Sequence, residues 1–168
     1  IVHNIDAQEI ALEAAQQSIV LLKNENKILP IDINKYKTIA IIGPNAKEQK
    51  SMLSRYGPLH VKMQTIVEGI QASFPKNNIL YAKGCNHTDT NFPKSDIEFF
   101  SLNADEEKML NEAVETAKQS DIIILSVGDN AKTVGESASR ISLELPGRQN
   151  ELIDRIIALG KPVVLVHT

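Results

Sequence analysis

The residue of this chain best placed to do chemistry is Glu136, in a segment running from Gly128 to Arg140. Gly135 precedes it, which lets the backbone present the side chain, and the small residues Ser137 and Ala138 follow, which leave room for a partner surface. A carboxyl group so exposed suits proton transfer, for instance donation to a departing oxygen with a second carboxyl group across the bond. By itself the pattern is weak, because an exposed loop glutamate is usually just solvated. Arg140, four residues on, is suited to orienting the loop through a carboxylate, and Asp129 to a turn or cap at a strand end.

Other reactive residue types form no pattern. His3, His60, His87 and His167 are scattered without metal-ligand spacing, so no metal is expected. Cys85 is the single cysteine; an internal disulfide is impossible, and a small buried hydrophobe is the ordinary role. Asn86-His87-Thr88 fits a glycosylation acceptor, a match that carries weight only in a secretory eukaryotic setting.

The elements that must position Glu136 follow from apolar runs and caps. Thr38–Ile42, Asn78–Ala82, Ile122–Val127 and Pro162–Val166 read as strands, and Ser18–Leu22 as a short additional one. Helices are predicted after Asp6 with Glu9, after Thr65 with Glu68 and after Asn103 with Glu106, each pair a capping box. A further helix spans Arg148–Leu159 and stops at Gly160. Unbroken Val/Ile/Leu strands separated by amphipathic helices predict a mostly parallel sheet buried on both faces, a three-layer α/β/α sandwich of flavodoxin-like type. Residues 1–36 are expected to form a linker, helix and lead-in segment, and residues 37–168 the sandwich. Two stretches, 86–103 and 128–146, exceed ordinary loop length, and the second follows a strand's carboxyl end, where open α/β sheets bind ligands.

Composition narrows the function classes. The 168 residues suffice for one domain with a real core, and 42% hydrophobic and 23% charged residues are ordinary for a globular protein. A net charge of −3 without Lys/Arg blocks speaks against nucleic acid as a partner. The apolar runs are strand-length, so no membrane span is expected. Ile1 to Asn4 open without a leader pattern or Met, and the chain stops at Thr168 just past an apolar strand, so it is expected to be a piece of a longer protein.

Several ordered blocks resemble the C-terminal domain of family 3 glycoside hydrolases. Ala14 to Glu25 followed by Leu29-Pro30 is similar to the segment by which those enzymes leave their barrel domain, and Ile39 to Ala46 to the first main strand of their second domain. Tyr56-Gly57-Pro58, Thr65 to Ile70 and Tyr81 to Cys85 follow in family order. Gly135-Glu136-Ser137 with Arg140 to Gly147 resembles the acid/base loop, and Lys161 to Val164 closes the match. Residues 86–103 match least.

The resemblance implies a retaining exo-β-glycosidase acting on β-linked oligosaccharides or glycosides, of β-glucosidase or β-xylosidase type and without a cofactor. It implies a TIM-barrel domain, N-terminal in the same polypeptide, that carries the nucleophilic aspartate and most of the sugar pocket. Glu136 matches the acid/base, and the isolated domain is expected to be inactive. Tyr56 lies where an aromatic borders the leaving-group subsite in some relatives, against the plainer role of packing on the domain edge. Arg55 beside it is a candidate for hydrogen bonds to sugar hydroxyls, against simple solvation. The family sheet has six strands, so a chain ending at Thr168 is expected to lack the last ones. An edge left unpaired in that way would make the isolated domain marginal or prone to association. A periplasmic or secreted site suits polysaccharide breakdown, by analogy.

Two other readings compete. A non-catalytic scaffold or interaction domain would share the fold with Glu136 incidental. A nucleotide-binding module is disfavoured because Gly43-Pro44-Asn45-Ala46 lacks a glycine-rich phosphate fingerprint and Pro44 removes a backbone donor.

Overall fold

The computed structural model describes residues 4–49, 56–57 and 63–168. The chain divides into two compact units, Ile1–Ile31 and Asp32–Thr168. The first holds helix α1 (Ile5–Ser18), followed by an irregular segment. Its start differs from the expected capping box at Asp6. Asn4 is the cap, its Oδ1 accepting the Ala7 N–H at 2.7 Å, and Asp6 instead lies in the first turn. The asparagine reaches the orphan N–H groups two residues earlier, and Asp6 then complements the helix dipole. Ser18–Leu22 is not a strand: Ser18 ends α1, and residues 19–22 are irregular and exposed. β-branched side chains favour extended backbone, but a strand also requires a neighbour to pair with.

In the second unit, β1 (Thr38–Ile42), β2 (Asn78–Ala82), β3 (Ile122–Val127) and β4 (Val163–His167) form a parallel sheet in the order β2-β1-β3-β4. Helices α2 (Ile66–Ser73), α3 (Ala104–Lys118) and α4 (Gln149–Ile157) connect them, with a 3-10 turn at Lys94–Asp96. This is the expected parallel α/β architecture. On one face, Ala40, Ile42, Ile123, Leu125 and Val127 pack with Leu110, Ala113 and Ala117 of α3 and Leu152 and Ile156 of α4. The alternate residues Ile39, Ile41, Ile122 and Ile124 are buried as well, so both faces of the central strands are covered. Each such side chain stabilises the fold by about 1.5–3 kcal/mol relative to exposure.

Local chemistry sets the helix starts. Thr65 and Glu68 cap α2 reciprocally, and Asn103 and Glu106 cap α3 in the same way. Glu106 also pairs with Arg148 at 3.2 Å, and Arg148 reaches the Phe100 and Ser101 carbonyls at 2.9 and 3.1 Å. The start of α3 is thereby tied to the residue that precedes α4. Farther along, Arg155 of α4 binds Glu107 through two bonds of 2.8 and 2.9 Å and Glu151 at 2.7 Å. At the strands' amino ends, the Asp121 carboxylate accepts the N–H groups of Lys37 and Thr38 at 2.8 and 2.9 Å. These backbone bonds hold its pKa below the usual carboxylate range.

At the carboxyl ends, β1 and β3 each run into a glycine with positive φ, Gly43 at 126° and Gly128 at 142°. A Cβ on Gly43 would sit 1.8 Å from the Ser126 carbonyl oxygen, and one on Gly128 1.9 Å from that of Thr168. Only glycine permits this approach of backbone to backbone. Because β1 connects outward to β2 while β3 lies on its other side, the strand order reverses between β1 and β3. Ligand crevices of open α/β sheets form at such a point.

Candidate active site

The loop from Gly128 to Pro146 begins at that switch point and is held at several places. Near its start, the Asn130 Oδ1 accepts the Lys132 N–H at 2.9 Å. The buried Thr133 hydroxyl accepts the Asn130 N–H at 3.1 Å and donates to the Asn130 carbonyl at 3.2 Å. Beyond it the chain turns sharply, with Gly135 at φ 105° and Ser137 at φ 61°. Glu136 stands between these two left-handed residues, exposed at the apex of a turn closed by an Ala138 N–H to Gly135 carbonyl bond of 3.1 Å. Ser137 bears a Cβ and so stores strain of order 1 kcal/mol there, which the rest of the loop must offset.

Tyr56 meets this apex. Its hydroxyl accepts the Glu136 backbone N–H at 3.0 Å, while the residue as a whole is 70% exposed. Two residues singled out separately in the sequence are therefore in direct contact. Arg55 lies outside the described residues, as do His3 and His60.

Arg140 is the loop's anchor. It binds Asp96 with two nearly parallel bonds, Nε to Oδ2 at 3.2 Å and Nη2 to Oδ1 at 3.1 Å. It also reaches Asp129 at 3.3 Å and donates to the Glu144 carbonyl at 2.8 Å. Only 13% of the Arg140 side chain and 9% of Asp96 remain exposed, so this fork is largely desolvated. Burial alone would lower the arginine's pKa; the two aspartates outweigh it and raise it. Asp129 is thus an ion-pair partner, beyond the turn role expected of a strand end. Asp96 comes from the 86–103 stretch, the part of the chain that resembles the family least, and no feature of the sequence singles it out.

Gln149 was also missed. Its side chain is fully buried at the first position of α4 and bonds Gly128 through both the N–H and the carbonyl, at 2.8 and 2.9 Å. A polar residue three positions before Leu152 and seven before Ile156 interrupts an apolar helical stripe, and that interruption is the signal that could have found it. Asn45, after β1, is likewise buried and donates to the Asp129 carbonyl at 3.3 Å and to the Thr168 hydroxyl.

A cleft of about 440 Å³ runs beside the loop, between Phe92 and Pro93 on one side and Lys132, Ser137, Ser139 and Arg140 on the other. A larger groove of about 730 Å³ lies along β2 and α3, at Tyr81, Lys83, Glu112 and Thr116, and shares no residue with the loop. Cys85 is 2% exposed, and burial pushes its thiol up to about 12, the nearby Lys83 opposing and Glu106 adding. It is therefore a packing residue rather than a nucleophile. His87 is half-buried, and burial with the Lys83 charge lowers its pKa. Among the described residues, no group of three His, Cys, Asp or Glu side chains is placed to hold a metal ion. No described helix is long and apolar enough to cross a membrane.

The geometry can be set beside known proteins. The family model "Glycosyl hydrolase family 3 C-terminal domain" matches residues 19–168. A β-xylosidase of Formosa agariphila is 38% identical over 166 residues, covering 95% of this chain and 21% of the relative. A periplasmic β-glucosidase of Salmonella typhimurium is 36% identical, covering 93% and 21%. Among solved structures, a β-glucosidase from Erythrobacter marinus superposes with a TM-score of 0.81 at 31% identity, over 98% of this chain and 24% of that one. A family 3 exo-β-xylosidase, solved with a xylobiose aziridine probe, gives 0.77 at 32%, over 96% and 19%. The chain spans about a fifth of the length of the curated relatives it matches.

Proposed function

Because this chain belongs to glycosyl hydrolase family 3 as its C-terminal domain, we propose that it forms part of a retaining exo-β-glycosidase, in which Glu136 is the general acid/base. The observation that carries the reading is the presentation of Glu136: one exposed carboxyl group at the apex of a turn, its backbone N–H held by Tyr56, on a loop anchored by Arg140. The comparisons with β-xylosidases and β-glucosidases support terminal β-linked xylose or glucose as the sugar released. A barrel domain in the same polypeptide would supply the nucleophilic aspartate and most of the sugar pocket.

In this mechanism the barrel aspartate attacks the anomeric carbon as the Glu136 carboxyl group gives its proton to the departing oxygen. A covalent glycosyl ester forms and the glycosidic bond breaks. Glu136, now ionised, takes a proton from water, which attacks the ester and releases the sugar with net retention. The two carboxyl groups must stand about 5–5.5 Å apart for this outcome. The role asks for a carboxyl group that is protonated before the first step and ionised after it. Enclosure against the barrel and the charge of the nearby aspartate, consumed in the ester, would supply both.

The test is the full-length Glu136→Ala enzyme, assayed on aryl glycosides of graded leaving-group acidity. Poor leaving groups need protonation and good ones do not, so kcat/KM should fall steeply for phenyl glycosides and little for 2,4-dinitrophenyl glycosides. Equal losses across the series would remove Glu136 from the role.

A further inference from the structure

We propose that Gln149 is a positioning residue for Glu136, its buried side-chain amide closing the 128–146 loop at both ends; the inference rests on the acid/base reading above. The Oε1 accepts the Gly128 N–H at 2.8 Å. The Nε2 faces three carbonyl oxygens, those of Gly128 at 2.9 Å, Pro146 at 3.2 Å and His87 at 3.4 Å. One planar group thus grips the first residue of the loop and the last, together with the neighbouring 86–103 stretch.

The arrangement asks for an amide and for nothing else of that shape. A donor pair must face the carbonyls while an acceptor faces the Gly128 N–H, a combination that glutamine offers and neither glutamate nor methionine does. Gln149 is itself enclosed. It is fully buried, and it opens α4, whose Leu152 and Ile156 are fully buried in the core. Gly128 lies close against the Thr168 backbone, where a Cβ would stand 1.9 Å from the carbonyl oxygen. Arg140 holds the loop's middle, whereas Gln149 determines where the loop leaves β3 and where it enters α4. A shift of either end displaces Glu136, and about 1 Å of misplacement costs up to about 100-fold in rate.

The experiment compares Gln149→Met, which keeps length and apolar volume but loses all four bonds, with Glu136→Ala in the full-length enzyme. The probes are phenyl and 2,4-dinitrophenyl β-glucosides and β-xylosides. Gln149→Met is expected to lower kcat/KM for the phenyl glycosides by about 10- to 100-fold while leaving the dinitrophenyl glycosides nearly unchanged, a weaker copy of the Glu136→Ala profile. The kcat on dinitrophenyl glycosides, set by hydrolysis of the ester, should fall in both variants and be raised by azide, which needs no general base. If Glu136→Ala is selective in this way and Gln149→Met loses activity equally on both leaving groups, or loses none, the positioning role is overturned and the acid/base reading stands. Where Glu136→Ala itself shows no selectivity, both fall. Should Gln149→Met fail to fold by its thermal melt, Gln149→Glu replaces it in the same comparison, since it keeps the acceptor and, when protonated, one donor.

Discussion

The Tyr56 hydroxyl accepts the backbone N–H of Glu136 at 3.0 Å, joining residues eighty positions apart in the chain. The bond fixes the peptide on which the carboxyl group is mounted, not the carboxyl group itself. Tyr56 thereby acquires a role distinct from that of a sugar-stacking ring.

Tyr56→Phe separates the two roles, because it removes the hydroxyl and keeps the ring. One hydrogen bond contributes about 0.5–1.5 kcal/mol. In the full-length enzyme kcat/KM for phenyl glycosides is expected to fall up to about tenfold, with product inhibition unchanged. Steady-state kinetics on Tyr56→Phe and Tyr56→Ala provide the check. If only the alanine variant is impaired, the ring rather than the hydroxyl matters.

Arg140 and Asp96 form a nearly desolvated fork, so removing one partner leaves the other charge without its match. Asp96→Asn is expected to destabilise the domain by about 1–3 kcal/mol, somewhat softened because Asp129 still pairs with Arg140 at 3.3 Å. Arg140→Met should cost more, since it strands Asp96 and Asp129 together. Urea midpoints of the two variants and the parent test the order.

Two glycines should respond in opposite directions to alanine. Gly128→Ala places a Cβ 1.9 Å from a backbone oxygen at φ 142°, and a loss of about 3 kcal/mol or more is expected. Gly69 sits within α2 with open space around it, so Gly69→Ala should stabilise by about 0.5–1 kcal/mol. Thermal melts of the pair measure both signs together.

Asp121 links stability to pH. Its pKa is lowered in the folded state by the Thr38 and Lys37 backbone N–H groups. The stabilisation it contributes is therefore complete above the unfolded value of about 3.9 and disappears as pH falls through the lower folded value. Asp121→Asn should flatten the acid limb of a stability curve measured from neutral pH down to about pH 3, and leave its shape above pH 6 unchanged. An acid limb identical to the parent's would show that the carboxylate contributes nothing.

The four strands, their parallel arrangement and two of the capping boxes were legible because each depends on residues adjacent in the chain. Runs such as Ile122–Val127 can be buried only between two covered faces, and Thr65 with Glu68 or Asn103 with Glu106 close their caps within one turn. Local reading erred at two places: Asn4 rather than Asp6 caps α1, and the apolar residues 19–22 pair with no strand among the described residues. The exposed turn that carries Glu136 was legible from the glycine before it. What holds it was not. Tyr56, Asp96 and Gln149 reach the loop from other parts of the chain; spacing marks Gln149 as a polar break in an apolar stripe, but does not say which groups these three meet. The order of strands brings the carboxyl ends of β1 and β3 side by side, and only that juxtaposition decides which polar groups find partners there. For Asp96 and Gln149 desolvation then makes the partnership obligatory, because a buried donor or charge without a match is costly.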